Sequence, residues 1–372
     1  MNWQQEITRT AQTAQDLLPY ITLTPQQQHR MDDILQQYPM SVPPYYLSLI
    51  DFDNVPNDPI FKMSIPSLSE IELDGLADTS GEAQNTVIQG MQHKYDETVM
   101  VLSTNQCAMY CRHCFRKRLV GLSDDEVASH FTEMRNYVLQ HTEISNILVS
   151  GGDALLNSNR RLREILALFT DIPHIDTIRI ATRVPVVLPM RITGDEELLD
   201  ILKEAGRKKQ LHMVSQFNHP NEITPQAQAA IQAIRGLGIP FKNQTVLLRG
   251  VNEGPAVLAR LFRSLVANGV TPYYVFQCRP VIGVKNQFQI PLLRGAQIVE
   301  DARSMQSGFG KTFRYCMSHI TGKLEILGRT GPDEILFKYH EAQDKANLGR
   351  IFTKKITSTQ AWLPDELDLP PM

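Results

Sequence analysis

The stretch Thr98-Val99-Met100-Val101-Leu102-Ser103, with Cys107-Ala108-Met109-Tyr110-Cys111-Arg112-His113-Cys114 starting four residues later, sets the architecture of this 372-residue chain. The first half is short, apolar and β-branched, the pattern of a buried strand. The second half is a loop that carries three thiols as CxxxCxxC. Working outward, similar strand-like runs recur at 146–150, 177–181, 212–217, 243–248 and 273–277. After the first, their starts lie about thirty residues apart, the size of one βαβ unit. Segments with helix signals separate them. Ser123-Asp124-Asp125-Glu126 reads as a capping box before Val127, Phe131, Met134 and Val138, and Thr193-Gly194-Asp195-Glu196 as another before Leu198, Leu199 and Leu202. Thr224-Pro225 reads as an N-cap with proline at the first helical position. Six parallel strands with crossover helices predict an α/β fold, a partial or open barrel whose site lies at the C-terminal strand ends. The cysteine loop follows the first strand, at that end.

Three thiolates this close can hold three irons of a 4Fe–4S cube, which leaves the fourth iron open. An open iron can chelate the amino and carboxylate groups of S-adenosylmethionine (SAM) and pass an electron to its sulfonium. Structural zinc needs four ligands in closed geometry. His113 could be the fourth only if its neighbours bent away, and no second Cys or His pair has finger-like spacing. An aromatic residue just before the second or third cysteine is usual in cluster loops that bind SAM, and Tyr110 fits.

The chain is 42% hydrophobic and 21% charged, ordinary for a globular protein with a sizeable core. A net charge of −3 carries no electrostatic footprint for nucleic acid or an anionic membrane. No apolar run approaches the roughly 18 residues of a transmembrane helix. The start, Met1-Asn2-Trp3-Gln4-Gln5-Glu6, has neither the basic start nor the apolar core of a signal peptide. Five cysteines in this length do not make a disulfide framework. The expectation is a cytoplasmic, reducing and oxygen-poor setting.

Three regions are expected. Residues 1–92 read as a helical extension punctuated by prolines, by default a lid or an oligomer contact. Residues 93–308 form the barrel. Residues 309–372 form a small β module with strands at 311–318, 324–327 and 335–339, then an extended, acidic, proline-rich tail. Ser150-Gly151-Gly152-Asp153 ends the second strand. Its glycines let backbone approach a ligand closely, at the place where the methionine amino group of SAM would sit; a tight turn capped by Asp153 is the alternative. His219, in Phe217-Asn218-His219-Pro220, is either a site residue or the residue that orders the turn. The polar run Asn243-Gln244-Thr245 is either ligand readout or satisfied barrel interior. Arg116 stands two residues past the last cysteine and could fork onto a carboxylate, whereas Lys117 and Arg118 read as solvated. Lys323 follows a glycine at a hairpin, where an exposed lysine is the ordinary finding.

Taken together, 109–114, 150–155, 184–189, 217–223 and 243–252 resemble the lysine 2,3-aminomutase family of radical-SAM enzymes, from about Lys94 to about Lys323. The resemblance implies a radical-SAM partial (β/α)6 barrel that moves an amino group between adjacent carbons of an amino acid. It implies a 4Fe–4S cluster on Cys107, Cys111 and Cys114, with SAM and pyridoxal phosphate (PLP) as cofactors. Tyr110, Ser150, Gly151, Gly152, Asp153 and Gln244 are the expected cofactor contacts around the cluster. Lys323 falls on the Schiff-base lysine, with Lys94 and Tyr95 near the PLP phosphate. Arg116 falls where the family binds the substrate carboxylate. A small-molecule amino-acid substrate, a flavodoxin- or ferredoxin-type electron donor and a homo-oligomer are the implied partners.

Departures from the family pattern bear on the substrate. The glycine run before the lysine is replaced by Met317-Ser318-His319-Ile320-Thr321-Gly322. Thr98 replaces an arginine at the phosphate. Arg279 and Cys316 replace two aspartates that receive the distal ammonium of lysine. A cation cannot serve a second cation, so free lysine is not the expected substrate, and Arg279 suits a distal carboxylate. Two other readings stand beside this one: a PLP-independent radical-SAM enzyme with a structural Lys323, and a non-catalytic metal-binding structural protein.

Overall fold

The computed structural model describes residues 3–369, so Met1, Asn2 and 370–372 lie outside it, and with them part of the signal-peptide reading and of the tail. Among the described residues, twelve strands form one sheet in sequence order: β1 (Thr86–Ile88), β2 (Met91–Tyr95), β3 (Thr98–Leu102), β4 (Asn146–Ser150), β5 (Thr177–Ala181), β6 (Gln210–Ser215), β7 (Phe241–Leu247), β8 (Thr271–Gln277), β9 (Arg314–His319), β10 (Gly322–Arg329), β11 (Glu334–Ala342) and β12 (Ile351–Lys355). From β3 to β9 every neighbouring pair is parallel. The flanking ladders, β1 to β3 and β9 to β12, are antiparallel.

Alternation along the strands explains the layering. Val99, Val101, Ile147, Val149 and Ile178 are fully buried, on the face that meets Leu162, Ile165, Phe169, Leu198 and Ile201 of the crossover helices. The intervening Thr98, Met100, Asn146, Leu148 and Arg179 are half-buried and line the concave face. Among the described residues no helix is long and apolar enough to cross a membrane.

The expected barrel strands all form, within two residues of their expected limits. Thr224 caps Pro225–Gly236 by accepting from Ala227 N. Three local expectations fail. Ser123–Glu126 starts no helix: Ser123 Oγ accepts from Asp125 N, Glu126 pairs with Arg118, and the helix begins only at Phe131. The second cap is Asp195 rather than Thr193, because its carboxylate accepts from Leu198 N at 2.9 Å. The third failure is the end of the parallel rhythm. The helix Leu292–Ser304 makes one more crossover, and β9 joins β8 in parallel, so the C-terminal strands continue the sheet. β1 and β2 likewise begin ahead of residue 93. The stretch after β12 folds back over the sheet end: Gln277 Nε2 donates to Ala361 O at 2.9 Å, Leu292 N to Gln360 O at 2.8 Å, and His319 Nε2 lies 3.1 Å from Pro364 O.

Candidate functional site

Between β3 and the helix Phe131–Gln140 the cysteine loop has no regular structure of its own, and its shape comes from outside. The N-terminal segment supplies most of it. Ser41 Oγ donates to Ala108 O, Tyr110 N to Ser41 O, and Arg112 N to Met63 O. Arg112 is 1% exposed; its guanidinium forks onto Glu70 and donates to Pro39 O and Tyr38 O. Lys117 Nζ reaches the same carboxylate at 2.7 Å. A second buried carboxylate, Glu82, takes Arg116 Nε at 2.8 Å and Arg118 at 2.9 Å. The solvated reading of Lys117 and Arg118 is therefore corrected. Their partners lie far upstream, and residues 38–82 clamp this loop. Glu70→Gln leaves two buried cations short of charge. A loss of about 3–5 kcal/mol on denaturant unfolding is expected, with lower iron uptake on reconstitution.

The three cysteines are half-buried. Burial pushes the Cys107 thiol up, and Asp153, Cys114 and Cys111 push it further. Burial and Cys111 push Cys114 up to about 11. Among the described residues no three Cys, His, Asp or Glu side chains close on one point as a single metal ion requires. A cube gives each thiolate its own iron, and three thiols spread along one loop fit that demand. Tyr110, whose hydroxyl donates to Gln106 Oε1 at 3.2 Å, packs its ring against Gly121, where a Cβ would meet it at 2.6 Å. His113 is buried between Gln216 Oε1 at 3.1 Å and Asn218 Nδ2 at 3.3 Å. Burial and then Arg183 hold it down to about 3, a neutral ring at physiological pH.

Ser150-Gly151-Gly152-Asp153 lies directly against this loop. Gly152 N donates to Thr104 O at 2.5 Å and Asp153 N to Gln106 O at 2.8 Å. A Cβ on Gly151 would meet Thr104 O at 2.3 Å, and one on Gly152 would meet Gln106 O at 2.3 Å, so only glycines permit the approach. Asp153 accepts from Leu155 N, Thr182 Oγ1 and Arg183 N, as a turn cap does. Sequence reasoning missed Arg183. Its Nη1 donates to Cys111 Sγ at 2.7 Å, and its Nη2 to Glu222 Oε1 at 2.6 Å. Fully buried Glu222 also accepts from Tyr46 and from the backbone of Asn218 and His219. His219 orders this turn, its Nδ1 accepting from Asn221 N at 3.2 Å. Asn243 and Thr245 are consumed in holding Phe217, while Gln244 faces the concave side.

Lys323 belongs to the same face. Its Nζ lies 4.8 Å from the Tyr274 ring centre and 5.7 Å from that of Tyr95. Among the described residues it forms no ion pair. Burial lowers its affinity for a proton against the pull of Glu341. A half-buried amine beside two aromatic rings and without an ion pair suits a carbonyl better than a salt bridge. Lys94 Nζ donates to Ser80 O and His319 O, and burial lowers it to about 8. Tyr95 is raised by burial. Arg116 and Arg279 both lie against Phe115, at 4.6 and 4.1 Å from its ring centre. Arg116 Nη1 reaches Ser150 Oγ at 3.2 Å and Gly151 O at 3.4 Å, and its Nη2 rests on Met100 Sδ. Arg279 follows β8 and points inward, with Nη1 3.5 Å from Thr79 Oγ1. Burial lowers it to about 10, opposed by Glu82 and reinforced by Arg116.

The chain is similar to known proteins over most of its length. Residues 101–262 match the model of the radical SAM superfamily. The chain is 38% identical to L-lysine 2,3-aminomutase of Clostridium subterminale, over 95% of this chain and 83% of the relative. It is 34% identical to the enzyme of the same name from Bacillus subtilis, over 99% and 76%. It is also 34% identical to glutamate 2,3-aminomutase of Clostridioides difficile, over 82% and 72%.

Proposed function

The chain belongs to the lysine 2,3-aminomutase family of radical-SAM proteins, and from that premise we propose that it moves an amino group between adjacent carbons of an amino acid with an acidic or neutral polar side chain. The observation that carries the reading is the Lys323 amine, half-buried without an ion pair, on the sheet face whose strand ends carry the cysteine loop. When bound, the cluster and SAM supply the hydrogen-abstracting radical and PLP the carbonyl that holds the migrating nitrogen.

The chain's own residues have separable tasks. Cys107, Cys111 and Cys114 hold the iron, and Glu70 and Glu82 keep their loop in place through Arg112, Lys117, Arg116 and Arg118. Tyr110, Ser150, Gly151, Gly152, Asp153 and Gln244 shape the space for SAM beside it. Lys323 holds the carbonyl cofactor, with Lys94 and Tyr95 at its edge. Arg116 is already fixed through Nε by Glu82, so its two amino nitrogens, on Ser150 and a weakly accepting methionine sulfur, can turn to a substrate carboxylate. Arg279, across Phe115, faces the distal end of that substrate.

The substrate assignment is tested with the anaerobically reconstituted enzyme and a panel of α-amino acids, following β-amino product by NMR. Glutamate-like substrates are expected to turn over and free lysine to remain unchanged. A charge-assisted hydrogen bond from Arg279 of roughly 1.5–3 kcal/mol gives about ten- to a hundred-fold selectivity. Arg279→Asp with Cys316→Asp should lose the native activity and gain some turnover of lysine. Efficient conversion of lysine by the unmutated enzyme refutes the role of Arg279. An electron donor of the flavodoxin or ferredoxin type would complete the system in a cytoplasmic setting.

A further inference from the structure

Every nitrogen of Arg183, the second residue after β5, is engaged. Its backbone N donates to Asp153 Oδ2 at 2.7 Å. Nε donates to Gln216 O at 3.0 Å, just past the end of β6. Nη1 donates to Cys111 Sγ at 2.7 Å, and Nη2 to Glu222 Oε1 at 2.6 Å. Glu222 is fully buried and also accepts from Tyr46 Oη at 2.7 Å, Asn218 N at 2.6 Å and His219 N at 3.0 Å. Tyr46 is itself fully buried, on the short helix Pro44–Leu47 of the N-terminal segment, and its hydroxyl lies 3.5 Å from Arg183 Nη2.

A purely structural role needs only Nε and Nη2, which tie the end of β5 to the turn after β6 and to the N-terminal segment. Nη1 does something else. Among the described residues no other side chain donates to a cysteine sulfur of the loop. The other cations near the thiols are bound to carboxylates: Arg112 and Lys117 to Glu70, Arg116 and Arg118 to Glu82. The buried His113 ring is neutral and adds no charge. A guanidinium keeps its proton at any working pH, so the donor to Cys111 is permanent. A cysteine that holds iron does so as a thiolate, the stronger acceptor. Reduction adds negative charge to a group that its thiolates already make anionic, and a charged donor at a ligand sulfur stabilises the added electron.

We propose that Arg183 raises the reduction potential of the iron–sulfur cluster through its hydrogen bond to Cys111 Sγ, and that Glu222 and Tyr46 set the strength of that bond by holding the guanidinium in place. The proposal rests on the reading of Cys107, Cys111 and Cys114 as the cluster ligands. In the step concerned, one electron passes from the flavodoxin- or ferredoxin-type donor to the cluster. No bond to Cys111 breaks and no proton follows, because the compensating charge already stands on Arg183. Arg183 is a positioning residue that acts through a ligand, and Tyr46 connects the N-terminal segment to the redox step.

The test is a potentiometric titration of the anaerobically reconstituted full-length protein, without SAM, followed by the electron paramagnetic resonance of the reduced cluster. Arg183→Met is expected to lower the ratio of reduced to oxidised cluster at a fixed applied potential about ten-fold, the low end of what a charge-assisted hydrogen bond supplies. For one electron that is a downward shift of about 59 mV. Arg183→Lys keeps the charge beside the sulfur and should recover most of the loss. Tyr46→Phe leaves the ion pair but loosens Glu222, and should lower the ratio by a smaller factor with a full complement of iron. A purely structural Arg183 gives a different pattern: less iron or a lower melting temperature, with the potential unchanged in the cluster that does form. That pattern, or no recovery in Arg183→Lys, overturns the assignment. Should Arg183→Met assemble no cluster, Tyr46→Phe decides: a lowered potential supports the assignment and an unshifted one overturns it. Iron and sulfide analysis of the unmutated protein separates the two readings. An absence of cluster there removes the three-cysteine ligation and this proposal with it, whereas a full cluster indifferent to Arg183 removes the proposal alone.

Discussion

Replacing any one of Cys107, Cys111 or Cys114 with alanine is expected to abolish the iron–sulfur absorbance and reductive cleavage of SAM together, with no intermediate phenotype. The three thiols sit on one loop without internal regular structure, and on the proposed reading each is an independent ligand that no neighbour replaces. A cube that loses one of three protein ligands exposes a second iron and is readily degraded. Iron and sulfide analysis after anaerobic reconstitution, with 5′-deoxyadenosine counted under dithionite, measures both effects. Cys278 and Cys316 are the controls. Cys316 lies on β9 in register with Glu325, Cys278 follows β8 and approaches Arg279 O at 3.8 Å, and neither belongs to the cysteine loop. Their alanine variants should keep a full complement of iron. Equal dependence on either one would end the three-cysteine model.

The second large effect concerns Lys323. Borohydride reduction of PLP-treated protein should leave a pyridoxyl group on the peptide that contains Lys323, and on no other. Lys323→Ala should lose the adduct and all amino-group migration while still cleaving SAM, which separates the amine from the iron. Lys323→Arg keeps the charge and should fail equally, because a guanidinium does not condense with the aldehyde at neutral pH. The strand geometry adds a subtler variant. Lys323 is in register with Ser318 and Glu341. Gly322 before it has φ +153, and a Cβ there would meet Glu341 O at 2.3 Å. Gly322→Ala should therefore displace the amine and slow adduct formation without removing the lysine. An adduct elsewhere, or none, would refute the assignment.

How much of this was legible in the sequence depends on distance along the chain. The barrel strands were plain because each carries its own alternation, and the cysteine loop and the Gly-Gly turn because their meaning lies within a few residues. The clamp was not. Glu70 and Arg112 are 42 residues apart, and Glu82 and Arg116 are 34 apart, with nothing local to mark either carboxylate as buried. Arg183 carries no local signal; only the approach of the end of β5 to the cysteine loop brings it to Cys111. The two capping boxes show the opposite failure. Each motif was present, but its donors and acceptors were satisfied elsewhere.

The stretch that folds back after β12 has a practical consequence. By accepting from Gln277 at the end of β8 and from His319 at the end of β9, residues 361 and 364 act as a splint between the strand that precedes Arg279 and the strand that pairs with β10, which carries Lys323. The Lys354 ammonium also bonds Leu367 O, which ties the splint to the edge strand. Affinity tags or deletions that disturb 360–369 therefore reach the chemistry indirectly. A preparation trimmed by protease in this stretch would keep its iron and its colour while losing the alignment of its amine.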